Sequence, residues 1–284
     1  MLPILLITKG IIERGLIYSI LVIAVYISSR IIKFENMSIE GAFGLGGALN
    51  IILLNYDINP WISLIITMLG GALSGVFTGL LHKKLYINTL ISGIITTTAL
   101  FSVILRIAGS NVILKNASTI FNVNLFLGSE EINLFFLLTI FCFSIVSICS
   151  WFLKTEIGLL LYASGENEQI LINIGKSPTK YKLLGLGLSN ALAALSHGLL
   201  IQYMGYFSIW FSAGILITAL AGMILSEIFT QKYSYYLLLG GILYQVIIAM
   251  TFELQIHPDW NKLITAFMII ITLFLKQIIN KKGE

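Results

Sequence analysis

The sequence predicts an all-α fold, a polytopic transmembrane helical bundle of about 8–10 spans with nine preferred, and three observations carry that expectation. Hydrophobic residues make up 57% of the 284 residues and charged residues only 11%, against about 25% charged in an ordinary soluble domain. The mean hydropathy is +0.95. The apolar residues are gathered into runs close to the roughly 20 residues that a helix needs to cross the hydrocarbon core. A chain with so little polar surface must face lipid.

The runs fall at about 11–29, 39–55, 61–81, 89–108, 133–153, 183–204, 212–229, 235–252 and 262–277. Ahead of the first, MLPILLITKGIIERG has a short apolar stretch followed, not preceded, by its charges. That order is wrong for a secretory signal, so the segment reads as a retained interfacial helix. The second run is interrupted by Glu40 and by Gly41, Gly44, Gly46 and Gly47. Irregular backbone at membrane depth is tolerated only against protein or a watery cavity, which places this run away from lipid. Nine spans with the N-terminus outside and the C-terminus cytoplasmic put twelve of the 17 basic residues on the inside, Arg30, Lys83, Lys154, Lys176 and Lys281 among them. The other five are Lys9, Arg14, Arg106, Lys115 and Lys262. The bias satisfies the positive-inside rule.

Several functions are excluded by what is missing. There is no basic stripe interleaved with aromatics, as a nucleic-acid reader would need, so no nucleic-acid partner is expected. Cys142 and Cys149 share one apolar run without acidic or His neighbours at ligand spacing and read as buried thiols. No metal site is expected. His82, His197 and His257 are scattered, with no HExxH and no GxSxG, so an enzyme site lacks convergent chemistry. The catalytic residue set is empty.

Two loops exceed what connection requires. About 109–132 is external in this topology, Asn-rich, and carries Glu130 and Glu131. It is either a plain solvated loop or a docking surface or lid. About 154–182 (KTEIGLLLYASGENEQILINIGKSPTKYK) is cytoplasmic. Ser164 and Asn167 can cap a short helix there, and Gly165 and Gly175 bracket it as breakers. Glu166, Ile170, Leu171 and Ile174 give that helix an apolar face with a polar rim, the form that docks into a groove.

FENMSIEGAFGLGGAL (Phe34–Leu49), the stretch from Gly79 to Val112, and the stretch from Gly158 to Ile209 together carry a family resemblance. GILITALAGMILSEIF and HPDWNKLITA extend it towards the C-terminus. The chain resembles the permease subunit of an ATP-binding-cassette (ABC) importer, in the superfamily of branched-chain amino-acid and ribose permeases, nearest the uncharacterised or tryptophan/tyrosine-type permeases. The resemblance implies one permease domain over 1–284, paired as a homodimer in a bacterial inner (plasma) membrane. It also implies a cytoplasmic ABC ATPase and an extracytoplasmic solute-binding protein as partners. The chain has no GxxxxGK[ST], the loop that cradles nucleotide phosphates, so no cofactor is expected on it; ATP and Mg belong to the ATPase. By resemblance, 154–182 is the coupling loop, with Gly165, Glu166, Asn167, Ile170, Leu171, Ile174 and Gly175 facing the ATPase. An amino acid, aromatic for preference, is the implied solute. His197 and Gly198 depart from the family's small residues here, and His197 is either packed or in contact with solute.

Intramembrane polar groups usually face the protein interior or a watery path. Asn50, Thr96, Thr97, Asn190 and Gln202 are uncharged candidates for the translocation path, with interhelical hydrogen bonding as the alternative role. Gly185, Gly187, Ala191, Ala193 and Ala194 let backbones approach closely. Glu40 and Glu227 are the structural or interface acids, Glu40 at the start of its own helix and Glu227 paired or touching the ATPase. A stand-alone secondary carrier is the other transport reading. It would want an intramembrane ion-coupling pair, and only these two acids, both near span ends, are available.

Overall fold

The computed structural model describes residues 2–115, 117–122, 130–229, 236–257 and 260–283. Glu130 and Glu131 have side chains outside that description, as does Lys232 entirely. The helices are α1 (Leu2–Tyr26), α2 (Ser38–Asn55), α3 (Pro60–Leu85), α4 (Thr89–Ala108), α5 (Glu130–Lys154), α6 (Glu156–Glu166), α7 (Glu168–Asn173), α8 (Pro178–Met204), α9 (Ile215–Phe229), α10 (Tyr236–Glu253) and α11 (Asn261–Gly283). Seven segments are long and apolar enough to cross a membrane, and Tyr236–Thr251 and Asn261–Phe274 add two shorter apolar helices. The polytopic bundle is therefore as expected, with one long helix for each of the nine runs.

Local chemistry sets the ends. Asn59 accepts from the Trp61 amide at 2.9 Å with Pro60 in the first turn of α3, and Asn88 accepts from the Leu90 amide at 2.9 Å to start α4. These are helix N-caps, which satisfy an otherwise orphaned donor. α8 begins at Pro178 and ends at Gly205, whose φ of 75° suits a residue without a Cβ.

The N-terminal segment leads into the first span without a break: α1 runs from Leu2 and then loosens into a π-helical turn, Ile27–Ile31. Lys33, with φ 48°, turns the chain back. The glycines of the second run do not interrupt it either. α2 is continuous, and its glycines are points of close approach: a Cβ on Gly46 would stand 2.3 Å from the Ala194 carbonyl oxygen. The expectation that this run is buried holds, with 72% of its window inside the protein.

α8 is the axis of the molecule. Every residue from Gly185 to Gln202 except Leu188 is buried. It runs antiparallel to α1, with Ser189 donating to the Ala24 carbonyl at 2.8 Å and Ser196 to the Ile17 carbonyl at 2.9 Å. α8 packs on α2 and α3, while α1 packs on α9 and α10. Of the small residues on α8, Ala194 lies under Gly46 and Gly71, and Gly185 lies against Ile32. At the far end, β1 (Asn111–Ile113) pairs antiparallel with β2 (Tyr206–Ser208), tying the exits of α4 and α8 together.

Candidate functional site

The excursion between α5 and α8 is two helices, not one. Thr155 starts α6, and Asn167 both ends α6 and caps α7 by accepting from the Gln169 amide at 2.9 Å. Ser164 caps nothing; its hydroxyl donates back to the Leu161 carbonyl at 2.6 Å. Gly175, at φ 72°, ends α7. Its amide bonds the Ile172 carbonyl at 2.9 Å and that of Lys176 bonds Leu171 at 2.8 Å, a Schellman termination.

Gly165 is the correction in this segment. It lies inside α6, and a Cβ there would stand 2.1 Å from the Ile31 carbonyl oxygen. It is a packing glycine against the end of α1, not a breaker. Next to it, Glu166 pairs with Lys33 at 2.7 Å, and that hydrogen bond holds the Glu166 carboxyl below its ordinary range. Glu156 pairs with Lys176 and Glu168 with Lys182. Leu171 is fully buried, which seats α7, while Ile170, Ile172 and Ile174 are about half exposed (49%, 52% and 55%). The apolar face is therefore Ile170 and Ile174 with Ile172 added, and Leu171 turns inward.

From Lys33 the chain leads straight to the polar interior. Asn36 donates to the Asn190 side-chain oxygen at 2.8 Å, in the middle of α8. The Asn36 oxygen receives the Ser38 amide at 3.1 Å and the Ser38 hydroxyl at 2.6 Å, so Asn36 braces the start of α2. Asn190 donates in turn to Ser38 at 2.9 Å and to Ser74 of α3 at 3.0 Å. All four residues are buried. Beside them Thr78 donates to Thr96 at 3.0 Å, and Thr97 donates to the Met37 carbonyl at 2.8 Å. The start of α2 is thereby held by α3, α4 and α8 together. Asn36, Ser74 and Thr78 were not singled out in the sequence; the Asn-x-Ser turn before α2 was the available signal.

Asn50 and Gln202 lie elsewhere. Asn50 donates to Ser63 at 3.0 Å, near the start of α3. Gln202 accepts from the Ile120 amide at 2.9 Å and so pins the loop after β1. His197 is a packing residue: it bonds the Phe43 carbonyl at 2.8 Å and stacks on the Phe43 ring with centroids 4.0 Å apart.

Glu40 stands in the first turn of α2. A carboxylate suits that end, where free amides and the dipole meet it. Glu227 forms a two-pronged pair with Arg30 at 2.8 and 2.9 Å, the strong geometry for guanidinium and carboxylate.

Compared with known proteins, residues 7–273 match the family described as branched-chain amino acid transport system, permease component. The chain is 32% identical over 270 residues to a tyrosine transport system permease protein of Clostridioides difficile (strain R20291), covering 93% of this chain and 89% of that one. It is 29% identical over 271 residues to an uncharacterized protein of Rickettsia prowazekii (strain Madrid E), covering 92% and 94%. No solved structure matches.

Proposed function

This chain belongs to the branched-chain amino acid transport system permease family, and we propose that it is the membrane subunit of an ATP-driven amino-acid importer. Two copies form the path. A cytoplasmic ABC ATPase, which holds ATP and Mg, docks on α6–α7, and an extracytoplasmic binding protein delivers the solute at the opposite end. The N-terminus is outside, the C-terminus is cytoplasmic, and the membrane is the bacterial plasma membrane. The solute is an aromatic amino acid, supported by the tyrosine permease to which the chain is similar.

The observation that carries this reading is the continuity from α7 to the start of α2. Exposed Ile170, Ile172 and Ile174 offer an apolar contact outside the spans. Gly165 and Glu166 grip Ile31 and Lys33. Three residues further, Asn36 holds α2 against Asn190. A push on α7 thus reaches, through rigid contacts, the buried joint of α2, α3 and α8. Tightly packed helices respond by moving between discrete arrangements, which suits a gated path. The affinity resides in the binding protein, so the path needs only weak, uncharged passing contacts.

The test is reconstitution of the chain with its ATPase and binding protein in vesicles. Tyrosine uptake requires ATP and all three components. Accumulation by this chain alone under an ion gradient, without ATP, overturns the importer reading in favour of a secondary carrier.

A further inference from the structure

Away from α6–α7, at the opposite end of α8, is a cavity of about 520 Å³ whose walls include Lys9, Glu13, Arg14, Leu134, Tyr203 and Tyr206. Its volume lies within the range of about 300–1,000 Å³ usual for small-molecule sites. Its composition sets it apart from the joint at Asn190, which is held by uncharged polar groups. Glu13 is only 4% exposed. The Tyr203 hydroxyl donates to Glu13 at 3.0 Å, and Lys9 stands 3.7 Å from the same carboxylate. One residue on, Arg14 lines the same cavity. Arg14 is exposed, and among the described residues no carboxylate lies within ion-pair distance of it.

Charges within a span are costly and mark function by default. Here opposite charges line one cavity together with the rings of Tyr203 and Tyr206. Gly10 keeps the floor open: a Cβ there would approach nothing closer than the Tyr203 hydroxyl, at 3.8 Å. Tyr206 is anchored by the β1–β2 pairing, opposite Ile113, so that wall is preset. A guanidinium recognises a carboxylate through paired hydrogen bonds. A buried carboxylate with a phenol beside it recognises an ammonium.

We infer that this cavity is a receiving site for the zwitterionic head of an amino acid, with Arg14 taking the α-carboxylate, Glu13 and Tyr203 the α-ammonium, and Tyr206 with Leu134 facing the side chain. This rests on the amino-acid reading above and adds to it a place on this chain. The site stands at the end where the binding protein would release its cargo, about half of α8 from the joint at Asn190. Its affinity is weak, because Lys9 competes for the carboxylate of Glu13 and must shift as the ammonium arrives.

The test uses the full chain in lipid nanodiscs and measures binding by saturation-transfer NMR with three probes: L-tyrosine, tyramine, and 3-(4-hydroxyphenyl)propionate. L-Tyrosine binds best. Each probe lacking one charge binds about 10- to 100-fold more weakly, the range of a charge-assisted hydrogen bond. Arg14→Gln removes the preference over tyramine and keeps that over the propionate. Glu13→Gln does the reverse, and Tyr203→Phe weakens the same preference as Glu13→Gln should Glu13→Gln fail to fold. Equal binding of the three probes, no binding at all, or unchanged preferences in Arg14→Gln overturn the site. Preference for another zwitterion over L-tyrosine keeps the site and overturns the aromatic cargo. ATP-driven uptake that keeps its rate and selectivity in Arg14→Gln overturns the site alone, whereas absence of ATP-driven uptake in the unaltered chain overturns the importer reading alone.

Discussion

α8 and α7 invert the usual relation between polarity and burial, in opposite directions. α8 buries Ser189, Asn190, Ser196, His197 and Gln202, and 89% of its window lies inside the protein, against 33% for that of the more apolar α5. α7, only six residues long, leaves three isoleucines about half exposed. In lipid, burying an apolar side chain against another helix gains little. Helices associate instead through close packing of small residues and through hydrogen bonds, which explains α8. Outside the spans the ordinary hydrophobic effect returns, and exposed isoleucines there mark an unfilled contact. One helix carries the architecture, and the other is the contact proposed for the ATPase.

The comparison breaks most readily at the glycine seam. Gly75→Leu in α3 would push a Cβ into the Leu186 carbonyl oxygen, which stands 2.2 Å from that position. Overpacking of this kind costs about 1–3 kcal/mol or more, and the expected outcome is loss of the monodisperse peak in detergent chromatography. Ile140→Ala, on the 63% exposed face of α5, should leave that peak unchanged.

Asn190→Ala should cost about 1–3 kcal/mol by leaving Asn36, Ser38 and Ser74 with unmade hydrogen bonds. Thermal denaturation in detergent reads the loss. An unshifted midpoint would mean that the joint at the start of α2 is held by packing alone.

Ile170→Asp on α7 should shift stability by less than about 0.5 kcal/mol, as exposed substitutions do, while reducing ATP-dependent uptake more than tenfold. Normal uptake in this variant would remove α7 from the coupling route. Gly165 is the wrong probe for that purpose, because any side chain there collides with Ile31 and disturbs α1 as well.

The smallest effect is electrostatic. Lys33 and Lys176 hold the carboxyls of Glu166 and Glu156 below their ordinary 4.5. Groups of that kind support the fold above their unfolded pKa and lose the support as pH falls through the lowered value. Lys176 is raised above 10.5 by its bond to Glu156, so its share is full below that value and fades as pH rises through the raised one. Amide exchange in α6–α7, corrected for its intrinsic pH dependence, should therefore quicken as pH falls below the ordinary carboxylate value of 4.5 and as it rises above the ordinary lysine value of 10.5. Exchange in α8 should not follow it.

Much of this was legible in residue order. The nine runs each became one helix, because runs near 20 apolar residues permit nothing else in lipid. Asn167 and Gly175 announced the ends of α7 through side-chain capping and left-handed backbone, both local effects. Gly165 misled for the same reason: a glycine that breaks a helix and one that lets two helices touch look alike until the neighbour is known.

The sequence by itself determined the membrane bundle, the excursion between α5 and α8, and the family, because hydropathy and motif order act along the chain. Only the tertiary structure decided that Asn36 meets Asn190, 154 positions away, that Arg30 meets Glu227, and that Glu13 and Arg14 share a cavity with Tyr203. Those meetings depend on the depth and rotation of each helix. In lipid these are set by where small residues allow backbones to touch, a property of pairs of helices that no single stretch of sequence contains.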